Sequence, residues 1–193
     1  MQTITYDAAL SQFCDLAGLD PLTLSDIDKA SINRLLNLWF KRGWEFYLWP
    51  QLIECGLRDA NDGLIPYQQT GLHDIDTVVA IHEDNPSQNQ NAREVQFRLL
   101  SIWIQIRDPQ PAIRNQYWVT FRPPCPTLSN NSTLPAFLCA FTTHGAYTTW
   151  LRGEGQQGKA IAEAAEPWQW LYDEIDKIER QQSQNRRWRF RRN

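Results

Sequence analysis

Ile32-Asn33-Arg34-Leu35-Leu36-Asn37-Leu38-Trp39-Phe40-Lys41-Arg42-Gly43-Trp44-Glu45-Phe46 is the stretch on which the reading of the fold turns. Ile32, Leu35, Leu36, Trp39, Phe40 and Trp44 recur at three- and four-residue intervals, the spacing that puts side chains on one face of an α-helix. Ser25-Asp26-Ile27-Asp28 precedes them as a capping box with Asp in the far position, so a long helix is expected to start there. Pro50 disfavours helical backbone in the residue before it, so the helix is expected to run to about Tyr47. Trp39, Phe40, Trp44, Phe46, Tyr47 and Trp49 crowd its end, more rings than one narrow stripe can hold. Some of them are expected on a second surface, and Trp39, Trp44, Phe46 and Trp49 are the candidates for a contact with another subunit.

Toward the N-terminus, Ala9, Leu10, Phe13, Leu16 and Ala17 share one helical face within 5–19, and Gly18 suits a helix stop. Toward the C-terminus the period falls to two. Leu52–Leu57 and Leu64–Tyr67 flank Asn61-Asp62-Gly63, a turn signal. Asp76–His82 is rich in β-branched residues and is broken by Asp84-Asn85-Pro86-Ser87, with a polar loop at Gln88-Asn89-Gln90-Asn91. Leu100, Ile102, Ile104 and Ile106 alternate with Ser101, Trp103 and Gln105, and Tyr117, Val119 and Phe121 with Trp118 and Thr120.

The helical period returns after Pro123-Pro124-Cys125-Pro126. Pro135 suits the first turn of a third helix over about 134–153, with Ala136, Ala140, Tyr147 and Leu151 on a face. A fourth is expected over about 157–182, carrying Ile161, Ala164, Ala165, Trp168, Leu171, Tyr172, Ile175 and Ile178, with Pro167 either kinking it or shifting its true start. The expected fold is α+β, mainly α: a four-helix bundle with a small antiparallel β-sheet inserted between the helix pairs. The chain then reads as one domain over 1–193, with a helix pair in 1–50, a β insertion in 51–122, a second helix pair in 133–182 and a basic aromatic tail in 183–193.

The 193 residues, 42% hydrophobic and 21% charged, are ordinary for a soluble globular protein, but nine Trp are not. The net charge of −3 conceals an asymmetry: Arg180, Arg186, Arg187, Arg189, Arg191 and Arg192 face no acid after position 180, and without them the rest of the chain carries −9. Cys14, Cys55, Cys125 and Cys139 show no C-x-x-C spacing and are expected to be reduced and mostly buried. Met1-Gln2-Thr3-Ile4 lacks the charged and apolar regions of a secretory leader, and no run of 18 apolar residues exists, so neither secretion nor a membrane span is expected.

No residue pattern points to catalysis. His73, His82 and His144 show no metalloprotease spacing, and His73 beside Asp74 and Asp76 reads as a solvated loop, so no metal is expected. Cys139 and His144 lie five apart on one expected helix, which does not bring thiol and imidazole together. Glu83-Asp84 and Asp173-Glu174-Asp176 read as solvated faces. Gly153-Glu154-Gly155-Gln156-Gln157-Gly158 matches a dinucleotide fingerprint by letter, but follows a helix and reads as an inter-helix turn. No cofactor and no enzymatic activity are expected.

The C-terminal run Arg186-Arg187-Trp188-Arg189-Phe190-Arg191-Arg192, with Arg180 before it, suits three uses: a solvated tail, a nucleic-acid contact, or an anchor in an acidic groove of a protein partner. Arg42-Gly43-Trp44 at the end of the aromatic helix carries a resemblance, together with the β insertion. A third segment adds to it: Gly145-Ala146-Tyr147 through Leu151-Arg152, then Gly155-Gln156, Lys159-Ala160 and a Glu- and Ala-rich helix leading to an Arg-bearing tail. In these segments the chain resembles the head–tail adaptor (connector) family of tailed phages, which includes the tail tubular proteins of short-tailed phages. The resemblance implies a ring, typically of twelve copies, in the neck of the virion between head and tail, assembled from the host cytoplasm. It implies a portal protein as partner for Arg180, Arg186, Arg187, Trp188, Arg189, Phe190, Arg191 and Arg192. It also implies a further tail or nozzle component on the opposite face, packaged DNA passing through the lumen, and no membrane. A tail completion or stopper protein, or a nucleic-acid-binding regulator using the basic tail, are the alternatives.

Overall fold

The computed structural model describes residues 2–89, 91–107 and 114–190, with side chains up to residue 183. In chain order its elements are β1 (Thr3–Thr5), α1 (Tyr6–Ala17), α2 (Asp26–Phe46), β2 (Glu54–Asp59), β3 (Leu64–Pro66), β4 (Thr77–His82), β5 (Phe97–Leu99), β6 (Trp103–Ile106), β7 (Gln116–Arg122), β8 (Thr133–Pro135), α3 (Ala136–Gly153), α4 (Gln157–Glu163) and α5 (Glu166–Phe190). They fall into two compact units, Met1–Tyr47 with Pro126–Asn193, and Leu48–Cys125.

In the first unit the helix boundaries follow local chemistry. The Thr5 hydroxyl accepts from the Ala8 amide at 3.3 Å to start α1, and Gly18 at φ 68 ends it in a left-handed cap. Ser25 accepts from the Asp28 amide at 3.2 Å and donates its hydroxyl to the Asp28 carboxylate at 2.6 Å, so the expected capping box forms. Ile32, Leu36, Trp39, Phe40 and Trp44 are the buried face of α2, as their spacing requires. Asn37 on that helix holds the incoming loop, donating to the Leu128 carbonyl at 3.1 Å and accepting from the Leu128 amide at 2.7 Å.

α3 is buried on several sides: Leu138, Cys139, Phe141, Thr142, Thr143, Gly145, Ala146, Tyr147, Thr148 and Leu151 are all inside. A helix apolar nearly all round belongs in the middle of its neighbours. The principal helix–helix contacts among the described residues accordingly run from α3 to α1, α2, α4 and α5. The Thr143 and Thr148 hydroxyls donate to the carbonyls of Cys139 (3.0 Å) and Gly145 (2.8 Å), which removes the cost of burying them. Gly145 admits the Trp39 indole so closely that a Cβ there would lie 2.2 Å from the ring.

These facts overturn the four-helix bundle with one inserted sheet. The helices surround α3 instead of forming two pairs. The expected fourth helix is two helices, α4 and α5, separated at Ala164–Ala165, and Pro167 sits in the first turn of α5, where a missing N–H is harmless. Residues read as the tail beyond 182 continue α5 to Phe190. The third helix starts at Ala136, because Thr133–Pro135 is spent on an antiparallel pair with Thr3–Thr5.

Among the described residues the second unit contains two sheets, not one: β2-β7-β4 and β3-β6-β5, each three-stranded and antiparallel. The Asn61–Leu64 turn forms as expected, with Asp62 at φ 49 and Gly63 at φ 75, and Asn61 and Leu64 exchange backbone bonds at 3.0 and 2.9 Å. Its two arms then part, β2 to β7 and β3 to β6. Ile65, Ile75, Ile81, Val95, Ile104, Tyr117, Val119 and Phe121 form the core. The alternation expected in β7 holds, since Tyr117, Val119 and Phe121 are buried. The alternation expected from Leu100 does not. The strand starts at Trp103, and Ile102 is exposed in the turn between β5 and β6.

Candidate functional site

α5 carries the residues that sequence marks as an anchor. Pro167, Leu171 and Ile178 are its buried residues among those whose side chains are described, and α5 packs on α3. From Glu179 to Ser183 every side chain is exposed, and the helical backbone continues to Phe190. The twelve residues after Ile178 extend the helix by about 18 Å at the usual rise per residue. Arg180 is exposed and reaches the Asp176 carboxylate at 3.9 Å, the outer limit of an ion pair. The side chains of Arg186, Arg187, Trp188, Arg189 and Phe190, and all of Arg191 and Arg192, lie outside the described residues.

The rings named as a subunit contact are mostly spent inside the chain. Trp39, Trp44 and Trp49 are buried, at 6%, 7% and 0% exposure, which withdraws them from any partner surface. Trp39 packs edge-on to Phe141 at 5.2 Å and tilted to Trp168 at 5.8 Å, and its Nε1 donates to the Thr149 hydroxyl at 2.8 Å. Phe46 alone of the four is exposed, and one side of it rests on Trp168 and Tyr172. Exposed apolar side chains arise elsewhere in the helical unit, at Leu22 and Ile27 in and after the turn before α2 and at Ile161 on α4.

The reactive groups that sequence weighed are held in structural contacts. The Cys139 thiol contacts Gln12 Oε1 at 3.2 Å, and burial pushes its pKa up to about 11, which makes it a poor nucleophile at neutral pH. Cys14 is also buried, whereas Cys125 is half-buried and Cys55 exposed, so burial of the thiols is less general than expected. His73 Nδ1 lies 2.8 Å from the Glu54 carboxylate. Glu83 and Asp84 pair with Arg114, at 3.5 and 3.2 Å. Gly155, at φ +76, makes the turn between α3 and α4 that the glycine-rich run was read to be.

Two arrangements escaped the sequence reading. Arg58 is 2% exposed in the second unit, its guanidinium stacked 4.6 Å over Phe121 and its Nη2 donating to the His73 carbonyl. Its Nε and Nη1 have no acceptor among the described residues. Burial lowers its pKa while Glu54 and Asp74 oppose the shift. The second arrangement gathers His144 of α3, Glu163 of α4 and Glu166 of α5, with donor atoms all within 4.8 Å of one another. Their separation in sequence gives no spacing signal, and only the turn at Gly155 and the break at Ala164–Ala165 bring them together. No family model matches the chain, and no curated protein matches it. Among the described residues no helix is long and apolar enough to cross a membrane.

Proposed function

We propose that the chain is a structural head-to-tail adaptor of a tailed bacteriophage, one subunit of a ring in the virion neck that joins the portal to the tail and lets DNA pass. The observation that carries this reading is α5. Among the residues whose side chains are described, Ile178 is its last buried one and Glu179 to Ser183 are exposed, and the helical backbone runs on to Phe190, into the run of Arg, Trp and Phe. An anchor that must reach a partner needs a stiff spacer with polar sides and a terminus rich in Arg and rings, the residue types that dominate binding energy at interfaces. The resemblance of the Arg42-Gly43-Trp44 helix end and of the Gly145–Ala160 segment to phage adaptors supports the same role.

The test is removal of residues 180–193 from the full chain, followed by sedimentation with assembled portal rings. Attachment should be lost while the helical circular dichroism and melting midpoint of the remaining body change little, because Leu171 and Ile178 stay in place. Undiminished attachment would refute the anchor. Retention of a salt-dependent nucleic-acid shift by the intact chain, without portal binding, would favour a nucleic-acid-binding regulator instead.

A further inference from the structure

We propose that His144, Glu163 and Glu166 form a divalent-metal site of the zinc class that staples α3, α4 and α5 together. The three side chains come from three helices and offer one nitrogen and two carboxylate oxygens, a donor set suited to Zn²⁺ more than to the oxygen-only sites of Ca²⁺ and Mg²⁺. His144 Nδ1 lies 3.9 Å from Glu166 Oε2. Tetrahedral zinc with bonds near 2.1 Å holds its donors about 3.4 Å apart, so the set must close by up to about 1.4 Å. Glu166 is exposed and Glu163 half-buried, so both side chains have room to turn. The imidazole is already oriented, because its ring meets Trp170 edge-on at 4.3 Å.

Glu163 and Glu166 bring two carboxylates to one imidazole. The ion-pair contact of Glu166 among the described residues is His144 itself. Lys159, one turn before Glu163 on α4, feels the charge of that carboxylate while its ammonium sits at the Tyr147 ring, 5.4 Å from the centroid. Two carboxylates beside an imidazole are a donor set that a divalent metal ion takes, with loss of any proton from the ring nitrogen on binding. Three protein ligands leave coordination positions for water. The ion would span the break at Ala164–Ala165 between α4 and α5.

The experiment titrates chelator-treated full-length protein with Zn²⁺ by calorimetry and follows the helical melting midpoint. Wild-type protein should bind Zn²⁺ at this site and, at about a hundredfold excess over Kd, melt about 5 °C higher. His144→Gln should weaken binding about tenfold or more and cut the shift at the same Zn²⁺ concentration to about half or less. Because His144 packs on Trp170, the near-isosteric pair Glu163→Gln/Glu166→Gln, half-buried and exposed, provides the same test while leaving the imidazole and its packing in place. Mg²⁺ at equal concentration should produce no shift. Absence of Zn²⁺ binding by wild type, or binding and melting shifts unchanged in both variants, would overturn the site. An equal shift with Mg²⁺ would overturn its assignment to the zinc class.

Discussion

Gly145 shows how one missing side chain sets the interior of the helical unit. Trp39 lies against it and cannot retreat. Its Nε1 is bonded to Thr149, Phe141 and Trp168 press on its ring, and the Arg42 guanidinium covers it at 4.9 Å. A Cβ at 145 would stand 2.2 Å from two ring carbons, far inside contact distance. Gly145→Ala should therefore destabilise the protein by about 3 kcal/mol or more, at the upper end of overpacking effects. Gly153 on the same helix has nothing within 4 Å of the same position, so Gly153→Ala should be neutral or stabilising by up to about 1 kcal/mol. Denaturant midpoints of the two variants separate these outcomes. Equal midpoints would mean that the ring can move aside.

At the scale of elements, the short pair of β1 and β8 has an effect out of proportion to its length. Tyr6 donates its amide to the Ser132 carbonyl and Ala136 donates to the Gln2 carbonyl, both at 3.0 Å, so the pair fixes the first turns of α1 and α3 at once. Thr5 is both a strand residue and the N-cap of α1. Removing residues 1–5 should lower stability by about 1–2 kcal/mol through the lost cap and pairing. It should also raise the hydrogen-exchange rate of the Ala136 amide well above that of the Leu151 amide deeper in α3. Unchanged protection at Ala136 would show that Pro135, with its fixed φ, starts α3 without the strand. None of this was visible as a strand signal, since Thr3–Thr5 and Thr133–Pro135 are each too short to show a period. The break between α4 and α5 was only half visible. Pro167 hinted at a later start, but Ile161, Ala164 and Trp168 keep helical spacing straight across it.

At the scale of the molecule, the chain folds one unit from its two ends and another from the continuous stretch between them. Leu48–Cys125 has its own core, in which Ile65, Ile81, Ile104 and Val119 are fully buried between six strands in two sheets. A fragment of residues 48–125 should therefore fold alone and keep slow amide exchange at Ile104 and Val119. Exchange at random-coil rates would show that this core depends on the helical unit. The proposed anchor and the proposed metal site both belong to the helical unit, on α5 and at its start.

Sequence by itself determined the pieces governed by short-range chemistry. It placed the stripe of α2 and its Ser25 cap, the Asn61–Leu64 turn, the alternation of β7 and the charge asymmetry that ends in the Arg-rich run. Each depends on dihedral preference or on a period that repeats within a few residues. Only the tertiary structure decided which faces met. It made α3 the centre, sent β2 and β3 to different sheets, buried Trp39, Trp44 and Trp49, and drew His144, Glu163 and Glu166 together. Those outcomes depend on contacts between segments far apart in the chain, where the pairing that buries the most surface prevails and no local spacing records the result.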